Sequence, residues 1–240
     1  MKIENLGDLR ARVVGGEDGD GAGLGPSVVM LHGFGAPGDD LVSIARAVAA
    51  PKGTRWYFLE APIDLGPQYM GGRAWWNIDM METQEMMRRG DFRGLVERTP
   101  KGLDSAMDLV VGALRSLYEL NTKIGASSKV VLGGFSQGAM LSSHLAARFA
   151  NLPLAGVVLM SGSLIGASEL RPRFGDLVRM PILMSHGKED PVLPFVIAEQ
   201  FQTELVAAGA RVTWIPFRGG HGIGPEVISG LGAFLQSALS

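Results

Sequence analysis

Short runs of consecutive apolar residues alternate along this chain with longer stretches whose apolar positions recur every three or four residues. Val28–Leu31, Trp56–Leu59, Lys129–Leu132, Gly156–Met160, Ile182–Ser185 and Val212–Pro216 are the short runs, and each is expected as a strand. The longer stretches predict helices over Asp39–Ala50, Lys101–Leu120, Gln137–Ala150, Phe195–Ala208 and Pro225–Leu239. In Lys101–Leu120 the apolar set Leu103, Met107, Val110, Val111, Leu114 and Leu117 has helical spacing. The strand runs are continuously apolar, as expected of strands covered on both faces. Strand-helix alternation then predicts a mostly parallel sheet flanked by helices, an α/β class protein. No internal repeat, low-complexity segment or Pro/Ser-rich linker divides the chain, so residues 1–240 are expected to form one domain. Residues 1–25 are expected to supply an N-terminal strand and a glycine-rich turn, GGEDGDGAGLG. That loop has neither the calcium-loop spacing nor a G-K-[ST] phosphate ending.

Composition narrows the function classes. With 46% hydrophobic and 19% charged residues the chain is ordinary globular material, and a formal net charge of −2 offers no basic face for nucleic acid. Arg88, Arg89 and Arg93 read as a solvated helix surface. The absence of cysteine removes disulfides, thiolate metal sites and cysteine nucleophiles. The first residues, MKIENLGDLRARVV, carry no signal-peptide pattern, and the apolar runs are too short to span a bilayer. A cytoplasmic protein without a stable membrane anchor is expected.

The chemistry-bearing segment is GGFSQGAM, residues 133–140, in which Gly134-Phe135-Ser136-Gln137-Gly138 fits the G-x-S-x-G nucleophile elbow. In a chain with 34 Gly the pentapeptide alone is weak, so its context decides. Ser136 follows the apolar KVVL strand and opens the amphipathic stretch QGAMLSSHLAARFA, the strand–turn–helix setting that the elbow requires. A serine needs a base, and the base needs an orienting carboxylate. Of the four histidines, His221 lies between the last expected strand and the closing helix, at the same sheet edge as Ser136. His32 belongs to the LHGFG turn, His144 to the helix after Ser136, and His186 to a strand end. Asp190 in HGKEDPVLP follows the penultimate strand; Glu189 is adjacent but is expected to point elsewhere. The order Ser136…Asp190…His221 is that of an α/β-hydrolase. An oxyanion hole is expected from the backbone N–H groups of Gln137 and of Phe34 in the glycine-rich turn after the first buried strand.

VVMLHGFGAPGDDLVSIARAV, the RAWW pair, VVLGGFSQGAML, HGKEDPVLP and GGHGIGPEVISGLGAFL, in that order, resemble the small carboxylesterase/phospholipase family that includes the acyl-protein thioesterases. The resemblance runs from about Val28 to the C-terminus. It implies an α/β-hydrolase fold with little or no lid and an ester- or thioester-hydrolysing activity that uses no cofactor and no metal. It carries the nucleophile to Ser136, the acid to Asp190, the base to His221 and the oxyanion donors to Phe34 and Gln137. Residues 1–25 and roughly 77–100 fit no family pattern, and Gly222 stands where many relatives carry a larger or acidic residue.

Between Met70 and Arg89, five of the chain's twelve methionines lie beside Trp75 and Trp76. Met70, Trp75 and Trp76 are therefore expected on one wall of an acyl-binding site, because thioether and indole side chains make an adaptable apolar surface. The alternative is that these methionines pack a helix on the core. The expected substrate is a small-molecule ester or thioester with a small or medium acyl chain. A long-chain thioesterase or lysophospholipase, a peptidase or acyltransferase on the same scaffold, and a non-catalytic hydrolase-fold binding protein are the alternatives. The expected assembly is a monomer or homodimer.

Overall fold

The computed structural model describes residues 1–149 and 151–240. The chain opens with β1 (Lys2–Leu6), β2 (Leu9–Gly15), β3 (Ser27–Leu31), α1 (Ile44–Ala47), β4 (Arg55–Leu59) and the short pair β5 (Ile63–Asp64) and β6 (Arg73–Ala74). Two helices follow, α2 (Met80–Arg89) and α3 (Phe92–Glu97), and then the long α4 (Leu103–Ile124). The second half runs β7 (Val130–Phe135), α5 (Gln137–Arg148), β8 (Leu154–Met160), α6 (Ala167–Leu170), β9 (Ile182–Gly187), α7 (Phe195–Ala207), β10 (Val212–Phe217) and α8 (Pro225–Leu239).

Eight of these strands form one sheet in the order β1-β2-β4-β3-β7-β8-β9-β10. The N-terminal hairpin β1–β2 joins antiparallel to β4, and the strands from β4 to β10 are parallel. This is the mostly parallel, helix-flanked sheet expected from the alternation of elements. The buried strands are mostly apolar because both faces are covered, with Ser27, Arg55, Ser185 and His186 as buried polar exceptions. In β3, Val29 and Leu31 join a core with α4, α5 and α7, while Val28 and Met30 join a second core with α1 and α8. In β4, Tyr57 and Leu59 take the first side and Trp56 and Phe58 the second.

Three expectations are corrected. The N-terminal segment supplies two strands rather than one, with the glycine-rich loop between β2 and β3. Asp39–Ala50 is not one helix but a series of i→i+3 turns that closes in the single helical turn of α1. Leu41, Ile44 and Val48 are nonetheless buried, so their spacing marks a core face that never becomes a full helix. Asp39, Asp40, Val42 and Ser43 are weak helix formers, and Ala50 precedes Pro51, which disfavours the helical region. The helix after Ser136 ends at Arg148, and Ala150 lies outside the described residues. No separate lid domain stands on the sheet among the described residues. Among them, no helix is long and apolar enough to cross a membrane.

Candidate functional site

Parallel strands deliver their following loops to one sheet edge, where α/β proteins bind ligands. Ser136 follows β7, Asp190 follows β9, His221 follows β10 and His32 follows β3, so all four arrive at that edge. Ser136 sits at the junction of β7 and α5 with φ 54 and ψ −116. Few L-residues adopt this backbone, and it holds the serine hydroxyl clear of the sheet. The fold enforces it through close packing: a Cβ on Gly138 would collide with the carbonyl of Leu31, and one on Gly134 with the backbone of Gly138. The Ser136 N–H is tied to the Met160 carbonyl at 2.9 Å, which fixes the turn against β8.

The structure brings Ser136, His221 and Asp190 into one hydrogen-bonded line. Ser136 Oγ lies 2.9 Å from His221 Nε2, and His221 Nδ1 lies 2.7 Å from Asp190 Oδ2. A carboxylate only accepts, so Nδ1 carries the proton and Nε2 is left free to accept from the serine hydroxyl. The Phe135 ring lies 4.9 Å from the His221 ring, centroid to centroid, and shields one face of it. The loop that carries His221 is held by Ser161, whose hydroxyl donates to the Gly222 carbonyl at 2.9 Å.

Asp190 is the most tightly bound member of the line. Its side chain is fully buried, and its Oδ1 accepts from the Val192 and Leu193 N–H groups at 2.8 and 2.9 Å. Burial alone would push its carboxyl up. Hydrogen bonds from His186, His221 and the Leu193 N–H outweigh that effect and hold it well below the usual carboxylate range. Glu189, its neighbour, is turned away and exposed, 3.6 Å from Arg218.

Gln137 opens α5 directly after Ser136 and Phe34 stands in the loop after β3, and neither backbone N–H is taken by another backbone acceptor among the described residues. Pairing of Leu31 with Gly134 sets the β3 loop beside the elbow. A network that the sequence does not announce ties the two together. The buried Gln137 side chain accepts from the Trp75 N–H at 2.9 Å and donates to the Trp76 carbonyl at 2.8 Å. The Trp75 indole N–H donates to the His32 carbonyl at 2.9 Å. The His32 ring donates to the Gly33 carbonyl at 2.8 Å and accepts from the Ala61 N–H at 3.1 Å, and burial pushes its imidazole down from the ordinary value.

Next to this edge lies a cavity of about 630 Å³, within the size range of small-molecule sites. Trp76, Met140, Ile165, Leu193 and Ile197 line its base, while Thr83 and Met87 of α2 and Leu95 of α3 line its outer side. Met140 stands one helical turn beyond Ser136, its N–H bonded to the Ser136 carbonyl at 3.1 Å. Of the three residues expected on an acyl-binding wall, Trp76 lines this cavity and Trp75 and Met70 do not. Trp75 is buried because its two N–H groups are claimed by Gln137 and His32. Met70 is 91% exposed at the left-handed end of a short 3-10 turn. The methionine-bearing helix α2 buries none of its residues, so it does not pack as a core helix. It is capped by the Asp79 side chain and linked to residue 98 by the Glu82–Arg98 ion pair at 2.7 Å. The arginines of that region lie on its exposed surface, with Arg88 and Arg89 paired to Glu85.

His144 is fully buried and donates from Nε2 to the Ile165 carbonyl at 3.0 Å, one helix face away from the site. His186 is also buried, but it lies against Asp190.

Comparison with known proteins gives the family and the fold. The model of the phospholipase/carboxylesterase family matches residues 24–239. Acyl-protein thioesterase 1 of Schizosaccharomyces pombe is 26% identical over 222 residues, covering 89% of this chain and 91% of the yeast protein. The acyl-protein thioesterase 1 homolog 1 of Dictyostelium discoideum is 23% identical and covers 89% and 90% of the two chains. Among solved structures, esterase PE8 superposes with a TM-score of 0.74 at 23% identity, over 96% of this chain and 99% of the other. Acyl-protein thioesterase 2 of Zea mays gives 0.72 at 23% identity, with the same coverage.

Proposed function

The chain belongs to the phospholipase/carboxylesterase family, and from that premise we propose that it hydrolyses carboxylic esters or thioesters by two-step acyl transfer through Ser136, His221 and Asp190. The observation that carries the reading is the continuous line from Ser136 Oγ through the His221 ring to the buried Asp190 carboxylate, at 2.9 and 2.7 Å. His221 Nε2 takes the hydroxyl proton as Ser136 Oγ bonds to the carbonyl carbon. Charge gathers on the carbonyl oxygen, and the N–H groups of Phe34 and Gln137 receive it. The carbonyl re-forms as the bond to the leaving group breaks, and that group departs as alcohol or thiol with the proton from His221. Water then enters by the same route and gives a proton to His221 as its oxygen bonds to the carbonyl carbon. The bond to Ser136 Oγ breaks, Oγ takes the proton back from His221, and the acid leaves.

The acyl chain is assigned to the 630 Å³ cavity beside Trp76 and Met140. That volume accommodates a small or medium chain and equally a longer one. A second reading, a long-chain acyl thioesterase or lysophospholipase, is favoured by the relatives' description as acyl-protein thioesterases and by the apolar cavity base. Rates on p-nitrophenyl esters from acetate to palmitate, and on the matching thioesters, separate the two. Ser136→Ala is expected to lower kcat on the order of 10⁶-fold. A fluorophosphonate probe is expected to label the wild type at Ser136 and leave the variant unmodified. Near-wild-type turnover in Ser136→Ala would refute the reading, and an unlabelled, inactive wild type would favour a binding protein.

A further inference from the structure

Two imidazoles, not one, converge on Asp190. Beside His221, the His186 side chain is 1% exposed, and its Nε2 stands 3.2 Å from the same carboxylate oxygen, Oδ2. Nε2 also stands 2.9 Å from the Leu193 carbonyl, so it bears the proton, and one N–H lies against both oxygens. The other ring nitrogen, Nδ1, meets no hydrogen-bond partner among the described residues. A buried polar atom left unpaired costs free energy that an apolar side chain of similar size would avoid. The ring of Phe195 lies 6.1 Å from that of His186, edge to face.

We propose that His186 is a positioning residue for the reaction: its Nε2–H shares the Asp190 Oδ2 lone pairs with His221 and sets how strongly the carboxylate holds a proton on His221. This deepens the triad reading and rests on it. The surroundings isolate the effect. Among residues of β9, α7, β10 and the joining loops, the titratable or charged side chains other than Asp190 and the two histidines are Lys188, Glu189, Glu199, Glu204, Arg211 and Arg218, and Glu204 is paired with Arg171 at 2.8 Å. Lys188 and Glu199 are exposed, Glu189 faces Arg218, and Arg211 lies before β10, at the far end from Asp190. The Asp190 Oδ1 stays anchored by Val192 and Leu193 N–H without His186. Removing the His186 donor therefore leaves the carboxylate in place with more charge at Oδ2. Such a carboxylate favours the protonated form of His221, and the neutral base required for attack is lost at higher pH.

The test is the pH profile of kcat/KM on p-nitrophenyl butyrate for wild type, His186→Leu and His186→Gln. Glutamine places an amide donor near the former Nε2, whereas leucine places none. The expected result for His186→Leu is an acid limb moved up by about half a pH unit or more. His186→Gln is expected to keep the wild-type limb. A limb in folded His186→Leu that coincides with wild type or moves down overturns the proposal. So does a His186→Gln limb displaced upward, which also decides the matter should His186→Leu fail to fold. Failure of the triad reading would appear separately, as turnover that survives Ser136→Ala.

Discussion

At the scale of single residues, the site is built from positions that the fold holds away from their local preference. Ser136 keeps φ 54 and ψ −116 because β7 and α5 meet at van der Waals distance through Gly134 and Gly138. A non-glycine residue there costs about 1–3 kcal/mol. Glycine relieves that cost and alanine does not, so Ser136→Gly is expected to be more stable than Ser136→Ala by about 1 kcal/mol or more. Urea denaturation of the two inactive variants checks this, and coincident midpoints would remove the strain argument. The residues whose position was legible in the sequence are those placed after a strand: Ser136, Asp190, His221, Phe34 and the backbone of Gln137. The roles of His32, Trp75, His186 and the Gln137 side chain were not legible. Each depends on a partner brought by the fold, such as Ala61 for His32 and Trp75 for Gln137. A buried, hydrogen-bonded histidine looks in sequence like any other.

At the scale of elements, legibility follows packing. Strands covered on both faces and helices with a continuous apolar stripe, such as α4, leave their period in the sequence. Helices α2 and α3 do not, because α2 buries nothing and α3 buries Val96 alone. Met87 and Leu95 line the cavity instead, and a cavity wall has no period to read. That use makes a prediction about acyl-chain length. Leu95 on α3 lines the same cavity as Trp76, and Leu95→Trp adds bulk where the chain is proposed to lie. The kcat/KM for octanoyl ester is expected to fall about tenfold relative to butyryl ester, in line with the few kcal/mol that pocket methylenes carry. An unchanged chain-length profile would move the acyl chain out of this cavity.

For the whole molecule, burial of imidazoles sets a pH dependence of stability. Burial pushes both His32 and His144 down from the ordinary histidine value. The unfolded chain takes up these protons near pH 6.5 while the folded chain resists them. Unfolding therefore binds protons below that point, and stability falls as pH falls. Asp190 adds a second, more acidic window: its depressed carboxyl stabilises the fold above about pH 4, and this contribution is lost as pH drops further. Urea midpoints from pH 8 to pH 4 should decline, and His144→Gln, which keeps a donor for the Ile165 carbonyl, should flatten the decline. An identical slope in that variant would show that His144 is protonated as readily in the fold as outside it. The reacting groups and the outer cavity wall come from different parts of the chain. Ser136, Asp190 and His221 stand on loops fixed by the sheet, whereas Thr83, Met87 and Leu95 stand on a segment that the sheet does not hold. Under the proposed function, residues 77–100 can thus change step by step while the line from Ser136 to Asp190 is kept, and descendants of one chain can diverge in the esters they accept.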